Sequence, residues 1–230
     1  MHVNDKILAS KVYLVLAGLF ITSLVVSNLI FQKFFFWNPF GWFPFELSVG
    51  LLPYPITFLI TDIISEIYGK KKANQVVITG IAASFFSILI VVIADMTPAT
   101  SWSPVGESVF SDVFGLSALA VLSSMLAYLI AQFIDIRIYH FWKKKTKGKH
   151  LWLRNNFSTF SSQFIDTFTV VLLLSIFEVL AWDKFYQLVW AGFLFKFFVA
   201  VLDTPLLYIA VYFFRRRFGL QLGEELKGIW

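Results

Sequence analysis

Six stretches of roughly twenty or more mostly apolar residues run through this chain, over 12–33, 46–68, 74–94, 114–141, 158–180 and 185–214, with polar connections between them. A segment of that length can satisfy its backbone in hydrocarbon only as a helix. The sequence therefore predicts an all-α integral membrane protein of six transmembrane helices, a single polytopic domain over 1–230. Charged residues make up only 14% of the 230, about half the share of a soluble domain, which agrees with that class. The first stretch is too long for the core of a signal peptide and no small-x-small cleavage site follows it, so it counts as a span.

The basic residues set the expected orientation. Fifteen of the nineteen Lys and Arg fall in the segments that lie on one side when both termini are inside: Lys6, Lys11, Lys70 to Lys72, six between Lys143 and Arg154, Arg215 to Arg217 and Lys227. The opposite connections hold only Lys33 and Lys184, while Arg137 and Lys196 lie within spans. That bias predicts cytoplasmic N and C termini and an even number of spans. It also assigns the net charge of +5 to topology rather than to nucleic-acid binding. With no cysteine, and with His2, His140 and His150 at the chain end or beside the basic loop, no metal centre, disulfide or thiol nucleophile is expected. Trp37, Trp42, Trp102, Trp142, Trp152 and Trp182 fall near span ends, as an interfacial aromatic belt does. The connection from Asp95 to Asp112 lacks basic residues and is broken by Pro98, Pro104 and Gly106, so it is an outer loop able to cover an entrance, or simply a solvated link.

The polar residues inside the spans carry the functional information, because a carboxylate in hydrocarbon is costly and normally marks a pathway or site. Asp62 and Glu66 lie one turn apart on one face of the second span, which opens with Pro53 and Pro55 and is therefore expected to be irregular at its outer end. The fourth span contains Gln132-Phe133-Ile134-Asp135 and the fifth Gln163-Phe164-Ile165-Asp166, so each presents an amide and a carboxylate on one face. Counted from the basic edge, Asp62, Asp135 and Asp166 share a layer about 10–12 Å deep, and antiparallel packing would set each amide opposite the other carboxylate. Asp203 lies about 7 Å deeper, before Thr204 and a helix break expected at Pro205.

Only Arg137 and Lys196 are available inside the spans to balance these acids, so some carboxylates must be protonated, hydrated or matched by a ligand. Glu66 and Arg137 lie near the edge and could snorkel or pair with each other. Gln132 and Gln163 could equally be interhelical glue, and Ser27, Asn28, Gly80 and Ser84 suit close packing. A carboxylate flanked by amides, with rings such as Tyr128, Phe133, Tyr139, Phe164, Phe195 and Tyr208 nearby, suits a flat molecule with adjacent N–H donors, an organic amine or a cation.

The pattern Pro55-x-Thr57-Phe58-x-x-Thr61-Asp62-x-x-x-Glu66-x-Tyr68-Gly69 before a Lys run, with the two Gln-x-x-Asp pairs and Asp203 near a proline, resembles the bacterial queuosine-precursor transporters of the vitamin uptake transporter group. The resemblance covers most of the chain. It implies import of 7-cyano-7-deazaguanine or 7-aminomethyl-7-deazaguanine across the bacterial cytoplasmic membrane for salvage into transfer RNA modification. On this reading the chain is a secondary transporter with substrate-binding residues Asp62, Gln132, Asp135, Gln163 and Asp166, and coupling or gating residues Glu66, Arg137, Lys196 and Asp203. It needs no cofactor, metal, nucleic acid or ATPase partner, and it works in the lipid bilayer as a monomer or a homodimer. Related families carry other vitamins on the same architecture. The alternatives are a substrate-capturing subunit of an ATP-driven importer, which would need a partner because no P-loop is present, and an aspartyl intramembrane enzyme, since neither Gly-x-Ser-x-Gly nor His-Glu-x-x-His occurs. A purely structural scaffold would have no reason to keep buried acids.

Overall fold

The computed structural model describes residues 3–38, 41, 44–115, 118–178 and 180–226. His2, Trp42, Lys227, residues 116 and 117 of the fourth expected span and residue 179 of the fifth lie outside the described residues. Six helical segments are long and apolar enough to cross a membrane: Asn4–Ile30, Val49–Ile67, Lys70–Asp95, Leu122–Lys145, Leu151–Ile176 and Trp182–Phe218. In chain order the helices are α1 (Val3–Ile30), α2 (Tyr54–Ile67), α3 (Lys70–Asp95), a short α4 (Glu107–Phe114), α5 (Ala118–Lys145), α6 (Leu151–Ile176) and α7 (Phe185–Phe218).

The bundle is assembled around α2. Eleven of its fourteen residues are buried, including Thr57, Thr61, Asp62, Ser65 and Glu66. It packs against α1, α3, α5 and α7, while α5 and α6 form the most extensive helix pair. Because lipid is as apolar as isoleucine, burying Ile60, Ile63, Ile64 and Ile67 gains packing rather than hydrophobic transfer, and the polar side chains of α2 can only be satisfied by protein.

At fourteen residues α2 is about 21 Å long, short of the roughly 30 Å hydrocarbon layer. The span expected from residue 46 is therefore α-helical only from Tyr54, and its outer end is irregular, as the two prolines imply. A strand β1 (Phe34–Trp37) pairs antiparallel with β2 (Phe45–Ser48), Phe35 opposite Leu47 and Trp37 opposite Phe45, and a 3-10 turn over Val49–Leu51 leads to the helix. Pro53 precedes the helix and Pro55 lies in its first turn, where the missing N–H groups have no intrahelical acceptor to lose. The hairpin is not loose at its base: Leu47, Ala191 and Phe195 bury together, and Trp37 stands edge-on to Phe195 at 5.2 Å. Trp37 is thus a packing residue as well as a member of the expected belt.

Three further expectations are corrected. α6 begins at Leu151, seven residues before the expected 158. The break expected at Pro205 is absent, since α7 continues through it, and the Thr204 hydroxyl donates to the Ala200 carbonyl at 3.1 Å in the turn that precedes the proline. The Asp95 to Asp112 connection folds partly into α4, which has no buried residue.

At the end that carries the basic clusters the connections are tight. α2 passes to α3 through Gly69, whose φ of 86° favours glycine, and the Leu226 amide donates to the Ile67 carbonyl at 2.8 Å, laying the tail across that turn. Gly148, between α5 and α6, lies against Gly223 so closely that a side chain on it would strike the tail backbone.

A split carboxylate layer and a charged cavity

Three polar groups occupy the interior, one above another. Nearest the basic end is Glu66, completely buried. Its Oε1 accepts from Arg154 Nη2 at 2.6 Å and from Arg215 Nη2, and its Oε2 accepts from the Tyr139 hydroxyl at 3.1 Å with Lys143 Nζ at 3.5 Å. Arg154 is itself fully buried and donates to the carbonyls of Gly148 (2.8 Å) and Lys149 (3.0 Å). Lys143 donates to the Glu66 carbonyl at 3.0 Å and pairs with Glu225 at 2.9 Å. Helices α2, α5, α6, α7 and the tail therefore converge on one carboxylate. Arg137, the partner expected for Glu66, is exposed and takes no part. Sequence counting had placed Arg154, Lys143 and Arg215 in solvated connections. What draws them in is the early start of α6 together with the buried charge of Glu66.

One layer further in, Asp62 on α2 and Asp135 on α5 are both buried and both reached by hydroxyls of α6. The Ser162 hydroxyl donates to Asp135 Oδ1 at 2.9 Å and the Thr159 hydroxyl to Asp62 Oδ2 at 3.4 Å, both from α6. Asp62 is 2% exposed and Asp135 0%. Gln132 is also fully buried; it donates to the Tyr128 hydroxyl at 2.8 Å, and the Thr61 hydroxyl reaches its Oε1 at 3.3 Å. The expected facing of each amide on the opposite carboxylate does not occur: Asp135 takes a serine, and the Gln163 Oε1 is buried with no hydrogen-bond partner.

Asp166 belongs to a third group. Lys196 donates to its Oδ2 and the Tyr54 hydroxyl to its Oδ1 at 2.7 Å, with the Lys196 ammonium 4.6 Å from the centre of the Tyr54 ring. Ser162 and Asp166 are four residues apart on α6, about 6 Å of rise, so the single layer expected from depth counting is two. The early start of α6 displaced the edge from which Asp166 was counted. Asp203, half-buried on α7, lies within electrostatic reach of Asp62.

A partly open cavity of about 380 Å³ extends from Asp166, Lys196 and Tyr54 away from the basic end. Ser27, Asn28 and Gln32 of the α1 end, Glu46 and Ser48 of the hairpin, and Thr167 line it. Its position follows from the shortness of α2, because the hairpin and 3-10 turn leave space where a full helix would stand. Asp62, Gln132, Asp135 and Gln163 do not line it; neither does the Asp95 to Asp112 connection, so the hairpin and not that loop borders the entrance. Among the expected rings, Tyr128 backs the cavity against Tyr54 at 5.2 Å, Tyr139 serves Glu66, and Phe195 packs under the hairpin. Sequence reading missed Tyr54, although its place between two prolines, a little over two helical turns before Asp62, was visible.

A helical bundle that crosses the membrane six times, with an interrupted helix ending beside a charged cavity, is built as a membrane transporter. Residues 48–210 match the family described as "Putative vitamin uptake transporter", and the chain belongs to that family. A Bacillus subtilis (strain 168) protein named "Probable queuosine precursor transporter" is similar: 29% identical over 170 residues, 71% of this chain and 71% of that protein. No solved structure matches. The chain is accordingly a multi-pass bacterial membrane transporter and not an enzyme.

Proposed function

We propose that this transporter imports queuosine precursors, 7-cyano-7-deazaguanine and 7-aminomethyl-7-deazaguanine, and that it binds them in the cavity at Asp166. The observation that carries this reading is the Tyr54–Asp166–Lys196 group at the cavity floor, which joins a carboxylate, a cation and a ring. A deazaguanine presents adjacent N–H donors that a carboxylate can accept together, and a flat face that suits an aromatic side chain. Lys196 holds Asp166 until the substrate arrives; the incoming donors replace its ammonium, which can then turn to the substrate carbonyl. Glu46, exposed on β2 and lining the same cavity, offers a counter-charge for the aminomethyl form. Of the five substrate residues expected from sequence, Asp166 is the one assigned to this contact, and the other four lie behind it.

The basic end is assigned to the cytoplasm, so the cavity faces outward and the Glu66 cluster closes the inner side. The test is thermal stabilisation of the detergent-purified chain by both deazaguanines, guanine, queuine, biotin, riboflavin and thiamine. A ligand at 100 times its dissociation constant adds about 2.7 kcal/mol if it binds only the folded state. A shift with a deazaguanine that Asp166→Asn removes is the expected result. A shift confined to another vitamin keeps the transporter and discards the substrate, and uptake that requires an added ATPase discards the secondary mechanism.

A further inference from the structure

Among the described residues, the carboxyl pair behind the cavity has no charge partner. Lys196 is taken by Asp166, while Arg154, Arg215 and Lys143 surround Glu66. Each carboxyl of the Asp62–Asp135 pair spends one oxygen on an α6 hydroxyl, which leaves Asp62 Oδ1 and Asp135 Oδ2 buried with no neutral donor. The remaining titratable groups that face the pair are Glu66 from α2, Tyr128 and Tyr139 from α5, and Asp203 from α7, and none is a cation. Two buried carboxylates with unsatisfied oxygens and no cation are costly to keep ionised together, and a bound proton removes one charge and supplies a donor. A metal ion would need several more oxygen ligands, and no group of three or more His, Cys, Asp or Glu side chains suited to a metal occurs among the described residues.

We propose that Asp62 and Asp135 form a proton-binding site, distinct from the substrate cavity, and that the proton it carries drives uptake. The second half rests on the transport reading above; the first half does not. Coupling has a physical route. Helix α6 holds the pair through Thr159 and Ser162 and the substrate carboxylate Asp166 one turn on, so a shift of α6 when Lys196 is displaced alters the hydroxyl contacts of the pair. A second line runs from Asp166 through Tyr54, Tyr128, Gln132 and Thr61, which adjoins Asp62 in sequence. Loading on the outer side adds one proton to the pair; opening of the basic end returns it to the inner water, and the site cycles with no other reactant.

The experiment has two arms on the full chain. In the first, infrared titration of the purified protein in H2O and D2O seeks a protonated-carboxyl C=O band that is present in the wild type and lost in both Asp62→Asn and Asp135→Asn, with Ser162→Ala shifting its frequency as a milder variant. In the second, proteoliposomes with an imposed pH gradient are given labelled 7-cyano-7-deazaguanine. The expected result is accumulation that approaches the imposed proton ratio, collapses with a protonophore and is unchanged when choline replaces sodium. Asp135→Asn should still exchange substrate yet no longer accumulate it. Absence of the band, or accumulation that follows sodium and ignores pH, overturns the proposal. A band with the expected variant behaviour but no deazaguanine exchange by the wild type upholds the proton site and removes the substrate assignment instead.

Discussion

Glu66 carries one negative charge and meets Arg154, Arg215 and Lys143, so its removal leaves cations buried without an anion. Breaking a buried pair from one side typically costs about 3–5 kcal/mol, far more than the pair is worth against apolar residues of the same volume. Glu66→Gln should therefore lower the thermal midpoint of the purified protein strongly, and a drop within the range of ordinary surface changes would show that Arg154 is satisfied by the Gly148 and Lys149 carbonyls alone. The same asymmetry separates stability from binding at the cavity floor. Lys196→Met leaves Asp166 without its cation and should destabilise, whereas Lys196→Met combined with Asp166→Asn removes both charges and should recover much of the loss. The double variant should not be stabilised by a deazaguanine, because it lacks the carboxylate assigned to its donors, whereas Lys196→Met keeps that carboxylate and should still respond. A double variant that stays as unstable as the single one would mean that Lys196 matters for packing rather than charge.

The α2–α3 turn and the tail over it test whether the basic end is held by backbone or by ions. Gly69 has φ at 86°, and a side chain there would run into Glu225. Gly69→Ala should cost about 1–3 kcal/mol from the backbone alone, because positive φ with an extended ψ is almost confined to glycine. Glu225→Ala removes an ion pair whose carboxylate is 37% exposed and should cost about 1 kcal/mol or less, so thermal melts of the two variants should differ clearly. Element by element, the sequence was most informative where chemistry was unusual. The Asp62 and Glu66 spacing, the prolines before them and the paired Gln-x-x-Asp segments pointed to the buried face of the central helix and of its two strongest polar neighbours. The hairpin was not legible, because Phe34–Trp37 is an apolar run without alternation, and Phe45–Ser48 alternates over only four residues beside a longer apolar stretch. Arg154 was missed because a positive charge at a span end ordinarily means solvent, and only the buried anion on another helix makes it interior. The continuity of α7 through Pro205 was equally hidden, since a proline in sequence signals a break and the bundle around a 34-residue helix overrides it.

At the scale of the molecule, the direction of transport depends on which face is inside. Lys70 to Lys72, Lys143 to Lys149 and Arg215 to Arg217 lie at one end of the bundle, and the cavity opens away from it. On the orientation expected from the positive-inside bias, that end is cytoplasmic and the conformation outward-facing. The chain has no cysteine, so single cysteines report position without background. Thr100, between α3 and α4, and Lys149, between α5 and α6, are both exposed and on opposite ends. Thr100→Cys should react with a membrane-impermeant maleimide on intact cells, and Lys149→Cys only after the membrane is permeabilised. Neither substitution removes a side chain bound to an interior group, since Lys149 meets Arg154 through its backbone carbonyl, so both proteins should fold and reach the membrane. The reverse labelling would turn the cavity toward the cytoplasm, and the Glu66 cluster would then seal the outer side. In that case, the Asp62–Asp135 pair would take its proton through the opened basic end and release it through the cavity.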